Sequence, residues 1–228
     1  MTQAEAVAAF AGLLADRSRA CICLALLDGR AWTVGELARH SRIAPLTASE
    51  HVSLLAGSGL LAEERQGRHR YVRLAGPDVA DLVEDLAGVA GVPALPTSLR
   101  GARAAAELGA GRTCYDHLAG RLGVHLFDAM DANALLDTRN GLTLTEAGSA
   151  WLAELGCDLE FQGSRRPLLR TCLDWTERRH HLAGRAGAAL HAALLSRGWT
   201  ERGLRPRAVR LTEAGRDALA DRLGIEAA

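Results

Sequence analysis

Residues 4–14 (AEAVAAFAGLL) place Ala and Leu at helical spacing, and Asp16 is positioned to cap a second helix from Arg17 to Leu27, which Asp28-Gly29 ends. Thr33 suits the cap of a short helix from Val34 to His40. After the turn Ser41-Arg42-Ile43-Ala44, a fourth helix is predicted to start near Pro45 and to close at Gly57 and Gly59. Leu60 to Arg65 and Arg70 to Leu74 read as two short strands joined by Gln66-Gly67-Arg68-His69. An amphipathic helix from Pro77 to Val89 then sets Val79, Leu82, Val83 and Leu86 on one face.

Helices of which the third and fourth are joined by a tight turn, followed at once by a basic hairpin, describe a winged helix-turn-helix. The side chains the fourth helix offers to base edges are Pro45, Leu46, Thr47, Ser49, Glu50 and His51, with Leu54 and Leu55 turned towards the core. For His51 a second reading stands open, a helix histidine bonded to its own module. The hairpin gathers Arg65, Arg68, Arg70 and Arg73 with His69 and Tyr71, and no acidic residue interrupts that run, so it reads as a phosphate-seeking wing.

This stretch resembles the arsenic-repressor (ArsR/SmtB) family of bacterial transcription regulators through ADRSRACICLALLDG, TVGELARHSRIAPLTASEHVSLLAGSGLL and AEERQGRHRYVRL, over about two fifths of the chain. The resemblance implies a homodimeric, cytoplasmic repressor on double-stranded DNA with an inverted-repeat operator. Its fourth helix would enter the major groove and its wing would touch the backbone or the adjacent minor groove. Many members carry basic residues where this chain has Glu50 and Ser53, which implies weaker phosphate anchoring by the helix and a larger share for the wing. The metal-ligand sets usual in the family are missing here, since the third helix reads ELARH without a Cys pair and the fifth offers Asp81 but no His.

Beyond the first module, GVPALPTS (91–98) reads as a linker, giving domains at 1–90 and 99–228. The second part repeats itself: RTCYD (112–116) recurs as RTCLD (170–174), HLAGRLG (117–123) as HLAGRAG (181–187), and LTEAG (144–148) as LTEAG (211–215). Two related repeats, about 112–156 and 170–224, are predicted as helix (from His117 and from His181), hairpin, and a helix capped by Thr145 or Thr212. The fold expected overall is mainly α with small β-hairpins.

The duplication sets Cys114, Asp116 and His117 against Cys172, Asp174 and His181. A Cys2His2 cage is conceivable, but Trp175 to His180 is inserted in the second copy, and buried Cys with capping Asp would keep the same motif for packing alone. A thiol switch between Cys114 and Cys172 is a third reading, and a seam including Arg112, Arg170, Trp175 and His181 is where a small-molecule effector would lodge. No cofactor is called for by these readings. Cys23 is expected in the core and Cys21 uncommitted, two apart on a helix and so on different faces.

Composition narrows the classes. The chain has 228 residues, too many for a peptide-sized scaffold, and at 48% hydrophobic and 24% charged it is far in composition from disordered or collagen-like chains. Its 27 basic and 27 acidic residues cancel, and every basic residue is Arg, so attraction to nucleic acid has to be local; residues 1–90 alone carry nine Arg against eleven carboxylates. Five scattered Cys fit a reducing cytoplasm, and no apolar run is long enough for a membrane span. GxSxG, P-loop, GxGxxG and HExxH patterns are absent from the sequence, so no enzyme is expected. The alternative function is a winged-helix module for protein interaction or architecture.

Overall fold

Capping side chains start the first helices. Thr2 and Glu5 form a reciprocal capping box at α1 (Gln3–Leu14), and Asp16 accepts the Ser18 and Arg19 N–H groups at α2 (Arg17–Ala25). A two-residue strand, β1 (Trp32–Thr33), leads into α3 (Val34–Ser41), where Thr33 and Glu36 form a second capping box. Arg42, in the left-handed region at φ 57°, ends α3, and Pro45 opens α4 (Pro45–Gly57). The wing follows as β2 (Leu61–Gln66) and β3 (His69–Leu74), and then α5 (Pro77–Ala90). In the sheet β3 lies between β1 and β2, both antiparallel to it. The sequence reading did not include β1.

The computed structural model describes residues 1–67, 69–91, 98–139, 141–159 and 166–225, and the chain divides into two units, Met1–Glu84 and Asp85–Ala228. Arg68 of the expected wing and positions 92–97 of the expected linker lie outside the described residues. The first unit is built around Ile22, Cys23, Leu26, Leu27, Leu37, Val52, Leu55, Leu60, Val72 and Leu74. No helix among the described residues is long and apolar enough to cross a membrane.

The second unit adds α6 (Leu99–Ala110) and then two stretches with the same order of elements. The first runs β4 (Arg112–Cys114), β5 (His117–Ala119), α7 (Gly120–Ala132), β6 (Leu136–Asp137), β7 (Thr143–Leu144) and α8 (Glu146–Glu154). The second runs β8 (Arg170–Leu173), β9 (His180–Ala183), α9 (Gly184–Ser196), β10 (Thr200–Arg202), β11 (Val209–Leu211) and α10 (Glu213–Leu223). His117 and His181 are therefore in strands and do not begin helices as expected. HLA pairs with the preceding RTC in a hairpin, and the helix begins only after the chain turns at Gly120 and Gly184, at φ 73° and 78°.

Thr145 and Thr212 do cap α8 and α10, each accepting the N–H of the glycine three residues on and donating its hydroxyl to the carbonyl of Ala134 or Gly198, with that of Leu135 or Trp199 next to it at 3.1 Å. A Cβ on Gly148 or Gly215 would press into the carbonyl of Leu135 or Trp199, so LTEAG demands its glycine for close approach. Leu126, Phe127, Met130, Trp151, Leu152, Leu190, Leu194 and Leu219 bring both stretches into one core.

Candidate functional site

Helix α4 is fixed by Ala48, Val52 and Leu55, all fully buried at i, i+4 and i+7, which leaves Leu46, Glu50, Ser53, Leu54 and Gly57 along the outer stripe. Leu54 is 47% exposed, against the expectation that it faces the core; Leu55 occupies that side one residue further on. Pro45 and Leu46 are exposed, and Thr47 and Ser49 are half-buried at the flanks. His51 is also half-buried, with Nε2 3.7 Å from Oδ1 of Asp16, the cap of α2.

In the wing, the register sets Leu61↔Leu74, Glu63↔Val72 and Arg65↔Arg70 on one face, and Glu64↔Tyr71 and Gln66↔His69 on the other. Arg65 and His69 are exposed and Tyr71 half-buried. The arginine run has an acidic neighbour across the pleat: Arg70 Nε donates to Glu63 Oε2 at 2.8 Å, with a second contact between the same two side chains. Primary sequence separates Glu63 from Arg70, whereas the hairpin sets them on one face. Arg70 Nη2 also donates to Ser53 Oγ at 3.1 Å, so the wing delivers a guanidinium to the outer stripe of α4.

The second unit gathers the repeated residues in one buried cluster. Cys114 stands opposite His117 across a two-residue turn in which Tyr115 takes φ 55°, and Cys172 stands opposite His181 in the other hairpin. The six inserted residues do not disturb this equivalence, because five of them lie in the β8–β9 connection and His180 extends β9 opposite Leu173, leaving the Cys↔His pairing intact. The two Sγ atoms are 3.7 Å apart, the two imidazoles stack with centroids 5.1 Å apart, and one ligand atom from each of the four residues lies within 4.8 Å of the others. All five cysteines of the chain are thiols. Two further repeated glycines lie beside this cluster: a Cβ on Gly123 would press into the Leu118 carbonyl and one on Gly187 into the Leu182 carbonyl, the latter also meeting His117 Cβ at 3.2 Å.

Each histidine has a carboxylate beside it. His117 Nδ1 is 3.2 Å from Asp116 Oδ1, and His181 Nδ1 is 3.9 Å from Asp174 Oδ2. Each carboxylate is in turn held by an arginine. Asp116 pairs with Arg166, a residue outside the repeated motifs, through Nη2–Oδ1 at 3.0 Å and a second contact, while Asp174 accepts from Arg112 Nη2 at 2.8 Å. Burial pushes both carboxyls up, but Arg112 with hydrogen bonds outweighs it at Asp174, and hydrogen bonds from His117 and Arg166 do so at Asp116, so both stay below the usual range. The Cys172 thiol is lowered chiefly by its hydrogen bond with Cys114, then by His117 and His181, against burial. Burial lowers His181.

Of the other expected effector residues, Arg112, Trp175 and Arg170 make contacts within the second unit. The Arg112 side chain is 1% exposed, and its guanidinium lies 4.4 Å from the Trp175 ring centroid. Arg170 pairs with Asp85. The gap lined by Leu118, Gly123, Leu126, Leu182, Gly187 and Leu190 measures about 10 Å3, room for one water at most.

No protein-family model matches the chain. It is 39% identical over 222 residues to YdfF of Bacillus subtilis (strain 168), an uncharacterized HTH-type transcriptional regulator, in an alignment covering 96% of this chain and 98% of the relative. Among solved structures, the homodimeric winged helix-turn-helix DNA-binding domain of a possible ArsR-family regulator from Mycobacterium bovis shares 30% identity, covering 40% of this chain and 87% of that one with a TM-score of 0.35. The transcriptional repressor BigR of Xylella fastidiosa shares 26%, covering 38% and 85% with a TM-score of 0.34.

Proposed function

The chain belongs to the HTH-type transcriptional regulators, as its full-length relative does, and from that premise we propose that it is a DNA-binding repressor of the ArsR/SmtB type. The observation that carries this reading is α4: three fully buried residues lock it to the first unit while the opposite stripe, joined to the wing through Arg70 and Ser53, is open. Pro45, Leu46, Thr47 and Ser49 meet the major groove in this reading. Arg65, with Arg68, His69 and Tyr71, meets phosphates, and Arg70 chiefly positions the wing because Glu63 offsets its charge. A homodimer is supported by α1, which buries none of its own residues and leaves Val7 62% and Phe10 38% exposed. Two-fold pairing would present two recognition helices about one DNA turn apart to an inverted repeat. The second unit, a diverged duplication in this reading, supplies the regulatory input, from a small-molecule effector or a redox change at the cysteine–histidine cluster.

A specific observation favours a second reading: the outer stripe of α4 carries Leu46, Leu54 and Glu50, a composition that also suits a protein partner. Electrophoretic retardation of the promoter fragment of its own operon, titrated with salt, separates the two. Arg65→Ala is expected to weaken binding to every duplex and lower the salt slope by about one, and Thr47→Ala to alter sequence preference. Failure of the parent chain to retard that fragment and scrambled duplexes alike at low salt would overturn the DNA reading and leave the interaction module.

A further inference from the structure

We propose that Cys114, His117, Cys172 and His181 form a closed tetrahedral binding site for a thiophilic d10 cation of the zinc class. The site lies entirely within the second unit and shares no residue with the helices that carry metal ligands in the resembled family. It does not rest on the gene-control reading.

Distances argue first. Two sulfurs bound to one tetrahedral ion at about 2.3 Å each stand about 3.8 Å apart, whereas a disulfide requires about 2.05 Å. The observed 3.7 Å matches that edge. The remaining donor atoms lie within 4.8 Å, so closing the shell requires shifts of about an ångström, within side-chain reach. Burial argues next. Nε2 of His181 is fully buried and makes no hydrogen bond within normal distance and angle, a costly condition that a metal–nitrogen bond at that atom removes. Asp116 holds Nδ1 of His117 at 3.2 Å, the arrangement that leaves Nε2 as ligand and raises its basicity, while Asp174, 3.9 Å from Nδ1 of His181, stands there as a neighbouring charge. Each hairpin contributes one Cys and one His in the same cross-strand register.

Sulfur with imidazole selects zinc-like ions over magnesium or calcium, and four protein ligands leave no position for a reacting water. Two thiolates cancel the charge of a divalent ion, which permits full burial. Binding exchanges the thiol protons for the metal, and those protons leave to solvent.

The test uses the full chain, reduced and chelator-stripped, titrated with Co2+ and then Zn2+. The expected result is one equivalent of tetrahedral cobalt per chain, seen as intense visible d–d bands with a thiolate-to-cobalt band in the near ultraviolet, all bleached by one equivalent of Zn2+. Zn2+ should also shield Cys114 and Cys172 from alkylation, read by peptide mass spectrometry, while Cys21 stays as reactive as before. The Cys114→Ser/Cys172→Ser and His181→Ala variants should lose the tetrahedral spectrum, and Cys157→Ser should keep it. Absence of tetrahedral bands in the reduced parent chain would overturn the proposal whether or not the variants fold. So would bands that persist in a folded cysteine double variant, or a Cys114–Cys172 disulfide that forms in air at the same rate with Zn2+ as without.

Discussion

Replacing Asp174 tests the electrostatic centre of the second unit. Its Oδ2 accepts from Arg112 Nη2 at 2.8 Å and Gly120 N at 2.6 Å, and its Oδ1 from Thr176 N at 2.8 Å, Thr176 Oγ1 at 2.6 Å and Glu177 N at 3.0 Å. Both side chains of the pair are effectively removed from water, at 1% and 0% exposure. Breaking a buried pair from one side costs about 3–5 kcal/mol. Asp174→Ala belongs at about 5, because it also strands N–H groups of the turn and of α7. Arg112→Met is milder, about 3 kcal/mol, since the carboxylate keeps its four other donors. The double variant should cost no more than the worse single one, a coupling of about 3 kcal/mol. Urea unfolding followed by tryptophan fluorescence measures this, as Trp151, Trp175 and Trp199 all lie in the second unit, and the two units should be fitted as separate transitions. Additive single costs, or Arg112→Met as damaging as Asp174→Ala, would refute the view that the carboxylate organises this region.

Gly215→Ala should destabilise the second unit by about 1–3 kcal/mol, because the added methyl meets the Trp199 carbonyl, whereas Gly12→Ala, with open space around it in α1, should stabilise its helix slightly; equal effects in thermal melts would contradict this. Burial pushes the Cys23 and Cys157 thiols up to about 11, leaving about one thiolate in a thousand at pH 8. Both should resist iodoacetamide at that pH until the chain is unfolded, and reaction of Cys23 at the rate of free cysteine would disprove the packing.

Local signals were readable where the chemistry is local. Asp16, Thr33, Thr145 and Thr212 announce their helices because a capping side chain and its N–H partners lie within three residues. Pairing across strands was not readable in the same way. The charge offset of Arg70 by Glu63 depends on hairpin register, and β1 is a strand only because β3 offers it an edge. The cysteine–histidine cluster lay between these cases: repetition drew attention to the residues, but counting the inserted residues along the chain hid their equivalence. A Cys and a His flanking a two-residue turn, as in Cys114-Tyr115-Asp116-His117, was the signal for a cross-strand pair. The helical reading of HLAG failed because the glycine that ends it is a boundary and not an interior residue.

The cluster is divided between two hairpins whose cysteines are 58 positions apart. Neither hairpin owns more than half of it, so it cannot be complete before both have emerged from the ribosome and met. Closing a loop of that length carries an entropic cost whose length-dependent part is about 3.6 kcal/mol, which the cluster meets only when both hairpins are present. A nascent or truncated chain ending before His181 would carry its half-set uncovered, open to oxidation and to mispairing with another molecule in the same state.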